Sequence, residues 1–405
     1  MPRTSWGSLS QYFEAIAVKD LSVVEVEKNR SNQHEFNATA ELKRVFGAER
    51  RECPTQFVYL SDSDSSGATE SGSLTWYDAR EKHPTRSEFR LYYTASQILD
   101  KAQAGDHLYI CLRKDGSVLA VVAKSQSTIS SQLSYLFGLQ IVALDHFVTL
   151  DEGDLSKRQL SYASQQILEL IGISASSSLD AQMQEMIEHF DGTLPSTEVF
   201  SSYARSTVKH ASPIGDPDET LVAWLEREEL LFRAFEKSLL LDRVQAGFDD
   251  VDDFLKVSNS VRNRRMSRAG LSFENHIDVL LELNGVEFDR GKLTENRAKP
   301  DFVFPSIAAY HNPAFSDGLL TMLGAKTTCK DRWRQVLAEA ERIPQKHLIT
   351  IEPAISSNQT SEMKAHNLQL VVPVSIQESY TAHQRKWLIS VKEFIELVLH
   401  KQNSL

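Results

Sequence analysis

The feature that most constrains the fold is the run Pro300-Asp301-Phe302-Val303-Phe304-Pro305. It is a short apolar segment opened by an acid and closed by proline, and it predicts a buried strand that begins at the carboxylate. Leu319 to Ala325 predicts a second strand, with Lys326 at its end. A helix is predicted from about Arg332 to Ile343, stopped by Pro344 and capped by Asp331. Trp333, Val336, Leu337 and Ala340 would form its apolar face, with Glu339 at the border. Twenty-four residues separate Asp301 from Lys326, and twelve more separate Lys326 from Glu339.

Carboxylates on neighbouring elements can hold a hard divalent cation through oxygen. A lysine beside them can orient or help deprotonate an attacking water while the metal stabilises charge on phosphorus. Asp301, Lys326 and Glu339 therefore suit magnesium-dependent phosphodiester hydrolysis. Lys330, Asp331 and Arg332 are polar groups suited to reading G·C pairs. A solvated helix laced with salt bridges explains any one of these charges alone, but it explains the whole set less well. An earlier apolar pattern, Phe273, Ile277, Leu280 and Leu281, predicts a helix ending at Asn284-Gly285. Glu274 falls at the edge of its buried face, where a carboxylate needs a cation, a hydrogen bond or water.

The formal net charge of −11 argues against a uniformly basic, DNA-coating protein. Its distribution is uneven. Residues 214–254 hold twelve acids against four bases, whereas 261–268 hold Arg262, Arg264, Arg265 and Arg268 with no acid. The arginines are candidate phosphate contacts, with a solvated loop as the alternative. No apolar run is long enough for a membrane span, and no secretory leader is visible. Cys53, Cys111 and Cys329 form no metal or disulfide pattern, so a reducing cytoplasm is the expected setting.

Up to about residue 172 the predicted strands are short: 57–60, 74–77, 89–93, 107–112 and 117–122, with a hairpin at Lys114-Asp115-Gly116-Ser117. That pattern predicts a β-rich barrel or sandwich. Ser174-Ala175-Ser176-Ser177-Ser178 marks a linker near 173–185. Pro217-Asp218 opens a long amphipathic helix closed by Gly247, with scaffold or dimer packing as its role. Strands follow around 348–351 and 368–372, and Ser390-Val391-Lys392-Glu393 is a capping box for a last helix. In the N-terminal section, Arg86, Glu88 and Arg90 would share one face of an extended segment. Two arginines flanking a glutamate can recognise guanine and cytosine edges. A cross-strand salt-bridge ladder is an equal alternative.

The runs Ser258-Asn259-Ser260-Val261-Arg262-Asn263-Arg264-Arg265, Ser267-Arg268-Ala269-Gly270, Lys299-Pro300-Asp301-Phe302 and Ala325-Lys326-Thr327-Thr328-Cys329-Lys330-Asp331-Arg332-Trp333-Arg334-Gln335 are similar to the EcoRII-type type II restriction endonucleases. The resemblance implies a C-terminal α/β restriction-endonuclease-like PD-(D/E)xK core. The chain departs from the common motif, because Gly324 stands two before the lysine. In that branch the missing carboxylate comes from the next helix, which matches Glu339, and Glu274 is a fourth active-site acid. The implied Mg2+ ligands are Asp301, Glu339 and the carbonyl of Ala325. The N-terminal section resembles the family's effector-DNA-binding pseudobarrel, which implies that His34, Arg86, Glu88 and Arg90 read DNA. Lys330, Asp331 and Arg332 are implied to read a CC/GG half-site.

These readings predict a multidomain chain with a β pseudobarrel over 1–172 and an α/β endonuclease domain over 173–405. The implied partners are double-stranded DNA, a second copy in a homodimer, and the cognate DNA methyltransferase of a restriction-modification system. The implied product is a cut at CCWGG-like sites bearing a 5′-phosphate. A non-catalytic sequence-specific DNA-binding regulator is one alternative. A modification-dependent or repair nuclease on the same core is another.

Overall fold

A computed structural model describes residues 7–26, 35–37, 39–83, 85–139, 144–173 and 180–404. The chain is mixed α/β and divides into two compact units, residues 1–175 with 354–359 and residues 176–353 with 360–405.

The first unit is built on an eight-stranded sheet. Its strands are β1 (Phe13–Asp20), β2 (Glu35–Asn37), β3 (Arg51–Ser61), β4 (Asp64–Asp78), β5 (Phe89–Tyr93), β6 (His107–Arg113), β7 (Val118–Ala123) and β8 (Val148–Leu150). They lie in the order β2-β5-β4-β3-β7-β6-β1-β8. All pairs are antiparallel except β3 with β7. Alternation of side chains across the sheet explains the unbroken apolar run of β7. Ala120 and Val122 enter one core with Phe57, Trp76 and Leu91. Leu119 and Val121 enter the other with Tyr109, Leu133 and Phe137. Both faces are therefore covered. The predicted hairpin between β6 and β7 is present, with Gly116 at φ +80° and the Arg113 N–H donating to Ser117 O at 2.9 Å.

This unit holds more helix than the predicted β-rich section. The helix Thr128–Phe137 buries Ile129, Leu133, Leu136 and Phe137 along one side. Ser127 caps it by accepting from the Ser130 N–H, and Gly138 ends it in the left-handed region at φ +62°. The helix Tyr162–Leu170 buries Ile167 and Leu168 in the same core.

The second unit opens with the helix Asp180–His189, which starts inside the stretch predicted as linker. The helices Thr197–Ser206, Pro217–Ala246 and Val251–Leu283 follow. Asp216 caps the predicted long helix, and Pro217 occupies its first turn. Phe200, Phe232 and Phe235 are buried among these helices, each ring contributing about 1.5–3 kcal/mol by leaving water. The arginine cluster lies on the 251–283 helix and not on a loop.

The sheet of this unit has the order β13-β12-β11-β10-β9. Its strands are β9 (Asp289–Arg290), β10 (Phe302–Phe304), β11 (Thr321–Ala325), β12 (Lys346–Ile349) and β13 (Leu368–Val371). β11, β12 and β13 are parallel, while β10 is antiparallel to both β9 and β11. The capping box of Ser390 and Glu393 opens the last helix, Val391–Gln402. The buried carboxylate of Asp218 accepts N–H groups from Val374, Val391 and Lys392 at 3.2, 2.9 and 3.0 Å. It thereby fastens the long helix to the end of the chain.

The helix predicted over 332–343 is much shorter than expected. A 3-10 turn over Lys330–Arg332 leads into the helix Trp333–Leu337, which then stops. Trp333 and Val336 are buried as predicted, but Glu339 lies in the turn beyond the helix. Ala340 has φ +50°, a left-handed conformation that ends helical hydrogen bonding. Asp331 does not cap this helix, because neither end residue makes a side-chain cap there. Its carboxylate instead accepts from Arg334 Nη1 at 2.6 Å.

Among the described residues no helix is long and apolar enough to cross a membrane.

Candidate active site

The pairing of β10 with β11 sets Phe302 opposite Leu323, and extending that register by one residue brings Asp301 beside Gly324. Asp301 Oδ2 accepts the Ala325 N–H at 2.7 Å and Lys326 Nζ at 2.8 Å. The Asp301 and Lys326 side chains are only 16% and 12% exposed, so this ion pair is well shielded from water. Lys326 is held from its other side as well. Its N–H donates to Ile349 O at 3.1 Å, continuing the β11–β12 ladder past Ala325. Sequence spacing therefore becomes a rigid placement of acid and lysine by three hydrogen-bonded strands.

Glu339 reaches the same place from the turn after the short helix. Burial first, and then the Asp301 charge, push its carboxyl up to about 7, against the pull of Lys326 and Lys346. Its Oε2 is buried and has no hydrogen-bond partner among the described residues. A buried oxygen without a donor is costly, and a cation would satisfy it. Asp301, Lys326 and Glu339 are thus in mutual electrostatic contact.

The geometry also explains the missing acid of the usual motif. A Cβ at Gly324 would meet Val336 Cγ2 at 2.9 Å and Cγ1 at 3.2 Å, with Leu348 Cδ1 at 3.6 Å. The short helix packs directly on the strand there and leaves no room for a side chain.

Glu274 is engaged differently. Its Oε2 accepts from Arg290 Nη2 at 3.0 Å, and Arg290 Nη1 reaches Asn275 and Asp278 at 3.0 and 3.2 Å. Arg290 stands on β9 opposite Phe302, and the adjoining Gly291 N–H donates to the Asp301 carbonyl at 2.9 Å. Glu274 is therefore joined to the Asp301 backbone through Arg290 and strand β9.

The remaining predicted positions are distributed as follows. Asp331 and Arg332 are exposed on the 3-10 turn, and Lys330 adopts φ +32° at its start. Arg262 is exposed. Arg264 and Arg265 lie 3.8 and 2.6 Å from the buried Glu236 carboxylate. Arg268 is buried over the rings of Phe200 and Phe232 and donates to Pro195 O at 2.9 Å. It is a packing residue of the helical layer, not the surface phosphate contact expected from the cluster.

In the first unit Glu88 and Arg90 of the predicted face enter an ion-pair network with Arg80 and Glu35. Arg90 reaches Glu35 at 2.6 Å and Glu88 at 2.8 Å, and Glu88 also meets Arg80 at 2.5 Å. Hydrogen bonds to Glu88 and then Glu35 raise the Arg90 guanidinium's affinity for its proton. Tyr77 donates to Glu35, which raises the tyrosine pKa. β5 begins only at Phe89, so Arg86 lies outside the strand and is exposed. The hub of this network is Glu35, which joins Tyr77 and Arg90 across long stretches of the chain. His34 lies outside the described residues.

The family model described as "EcoRII C terminal" matches residues 232–395. The chain is 44% identical over 181 residues to "Type II restriction enzyme EcoRII" of Escherichia coli, a match covering 44% of this chain and 45% of that protein. The chain thus spans under half the length of that curated relative. Among solved structures, metal-depleted Ecl18kI in complex with uncleaved, modified DNA is 16% identical, with a TM-score of 0.45 over 56% of this chain and 85% of that one. The PspGI–substrate DNA complex is 14% identical, with a TM-score of 0.39 over 56% and 93%. The matched segment contains Glu274, Asp301, Lys326 and Glu339, the strands that place them and the turn that carries Glu339. Over residues 232–395, the segment that holds the candidate site, the chain is therefore similar to the EcoRII C-terminal family.

Proposed function

We propose that the protein is a type II site-specific deoxyribonuclease that hydrolyses double-stranded DNA at a CC/GG-flanked site such as CCWGG. The observation that carries the proposal is the convergence of Asp301, Lys326 and the orphaned Glu339 carboxylate within the family segment. The donor set fits a hard divalent ion such as Mg2+. Two carboxylates and the Ala325 carbonyl supply oxygen, and the partnerless Glu339 Oε2 is what such an ion would satisfy. When bound, the ion supplies Lewis-acid stabilisation of charge at phosphorus and eases deprotonation of water.

The protein's own groups do the remainder. Lys326, as an ammonium, orients the attacking water and stabilises the negative charge that develops on it, while the water's proton passes to solvent. Asp301 fixes the Lys326 ammonium through its 2.8 Å contact. Shielding of this pair from bulk water strengthens both interactions. The product would carry a 5′-phosphate and a 3′-hydroxyl. Glu274 acts by fixing Arg290 and hence the strand that backs Asp301.

Lys330, Asp331 and Arg332 project from the turn just after the lysine, where they can donate to guanine and accept from cytosine. Arg262, Arg264 and Arg265 serve the phosphate backbone. A two-fold site needs one active centre per strand, so the working form is a homodimer. The N-terminal unit is the effector-DNA-binding pseudobarrel, reading DNA through His34, Arg86, Glu88 and Arg90. The protein acts in the cytoplasm beside a cognate DNA methyltransferase.

Incubation of unmethylated and methylated phage DNA with magnesium, followed by sequencing of the ends, tests this reading. Cuts at CCWGG in unmethylated DNA alone are expected. Binding without cutting would establish a regulator, and cutting only of modified DNA would establish a modification-dependent nuclease.

A further inference from the structure

Glu339 is held by an unusual piece of backbone. The helix that leads toward it ends at Leu337, and Ala340, the residue after it, is buried at φ +50°. A residue with a Cβ does not rest in that conformation unless its surroundings impose it. The surroundings are specific. Lys346 on β12 is 6% exposed, and its Nζ donates to Ala340 O at 2.5 Å and to Ile343 O at 2.7 Å. Outside the turn, Asn296 Nδ2 donates to Glu341 at 2.9 Å, and Arg342 donates to Phe315 O and Asp317 Oδ1, both at 2.9 Å. Each residue from 340 to 343 is thus tied down, and Lys346 is the interior tie.

We propose that Lys346 is a positioning residue for the active site. Its ammonium locks the carbonyls of the 340–343 turn and so aims the Glu339 carboxylate at Asp301 and Lys326. The inference rests on the nuclease reading above.

A charged group is an expensive way to fill a buried volume, and an apolar side chain would fill it at less cost. Burial does push the Lys346 ammonium pKa down, countered by Glu295, Glu339 and Glu341. What an apolar side chain cannot do is bind the Ala340 and Ile343 carbonyls at once, bracing both ends of the turn that the Ile343 N–H closes on Ala340 O at 3.0 Å. β12 pairs with β11, the strand that carries Ala325 and leads into Lys326. The sheet that sets the lysine therefore also sets the strut for the second acid.

The test compares the full-length wild type with Lys346→Met. Two readouts are used: DNA cleavage, and Mn2+ binding to the protein alone, read from loss of the free-ion EPR signal. Misplacing a catalytic group by about 1 Å costs on the order of 100-fold. The kcat should therefore fall ~10–100-fold, with KM for DNA and DNA binding in EDTA unchanged, and Mn2+ affinity should weaken by about tenfold. Adding Ala340→Gly to Lys346→Met should recover part of both losses, because glycine takes a positive φ without an anchor.

Wild-type kcat and Mn2+ affinity in Lys346→Met would overturn the proposal. So would a lowered melting temperature with unchanged cleavage per folded molecule. Should Lys346→Met not fold, Lys346→Gln, which keeps one donor, carries the same two measurements. A wild type that cuts no DNA sinks the nuclease reading, and the manganese titration still decides for or against Lys346.

Discussion

Replacing Glu339 by Gln should make the metal-free protein more stable above neutral pH. In the folded chain the Glu339 carboxyl keeps its proton to about 7, against an ordinary value of 4.5. Between those two values the unfolded chain has released a proton that the folded chain retains. The unfolded state then binds fewer protons, so stability falls as pH rises through this window and levels off above it. At about 1.36 kcal/mol per pH unit the full displacement is on the order of 3 kcal/mol. Glu339 is only half-buried, and solvent screening reduces that to about 1–2 kcal/mol. Gln keeps the shape without the charge. In EDTA at pH 8.5 the Glu339→Gln protein should melt about 3–6 °C above wild type, and the gap should close near pH 5. Thermal unfolding of both proteins at pH 5, 7 and 8.5 measures the difference, in which titrating groups distant from Glu339 cancel. A Gln variant no more stable than wild type at pH 8.5 would refute the reasoning. So would a gap that persists unchanged to pH 5.

Asp301→Ala and Lys326→Ala should each abolish plasmid cleavage while leaving specific DNA binding in gel-shift assays largely intact, because the lost groups act on water and phosphate rather than on bases. Gly324→Ala should destabilise by about 1–3 kcal/mol in denaturant melts, since its Cβ lands 2.9 Å from Val336 Cγ2; Val336→Ala in the same chain should recover part of that loss. Asp331→Asn should lower cognate cleavage tenfold or more, about 1–3 kcal/mol for a lost base contact. The 3-10 turn holds no Asp331 cap to lose, so an unchanged rate on CCWGG and on duplexes substituted in the C·G pairs would remove Asp331 from base recognition.

The sequence made the strands of both units legible where apolar runs were bounded by turn residues. β5 was delimited to the residue, and β10 to within one. The positions of Asp301 and Lys326 were legible because the apolar strands beside them are, whereas Glu339 was expected on a helix and lies in the turn beyond it. The end of that short helix was not legible. The pattern Trp333, Val336, Leu337, Ala340 continues at helical spacing, but Ala340 takes a positive φ, and its carbonyl accepts from Lys346, six residues on, a contact that helical spacing does not show. The helix Thr128–Phe137 is hard to read from sequence although Ser127 and Gly138 flank it at both ends, because its serines dilute the apolar spacing. The arginine cluster showed the converse limit. A row of like residues gives no sign that Arg268 turns inward to two phenylalanines while Arg262 faces solvent.

The fit between Gly324 and Val336 also bears on how such a site could change over generations. An acid introduced at 324 would have to enter a space already occupied by a valine. A smaller residue at 336 introduced first would leave an unfilled hollow against the strand. Either single step passes through a weakened protein, so moving the carboxylate back to the strand requires two coordinated changes. An ancestor that traded the strand acid for one on the following turn could therefore close its return route through ordinary packing, with no further change in the chemistry.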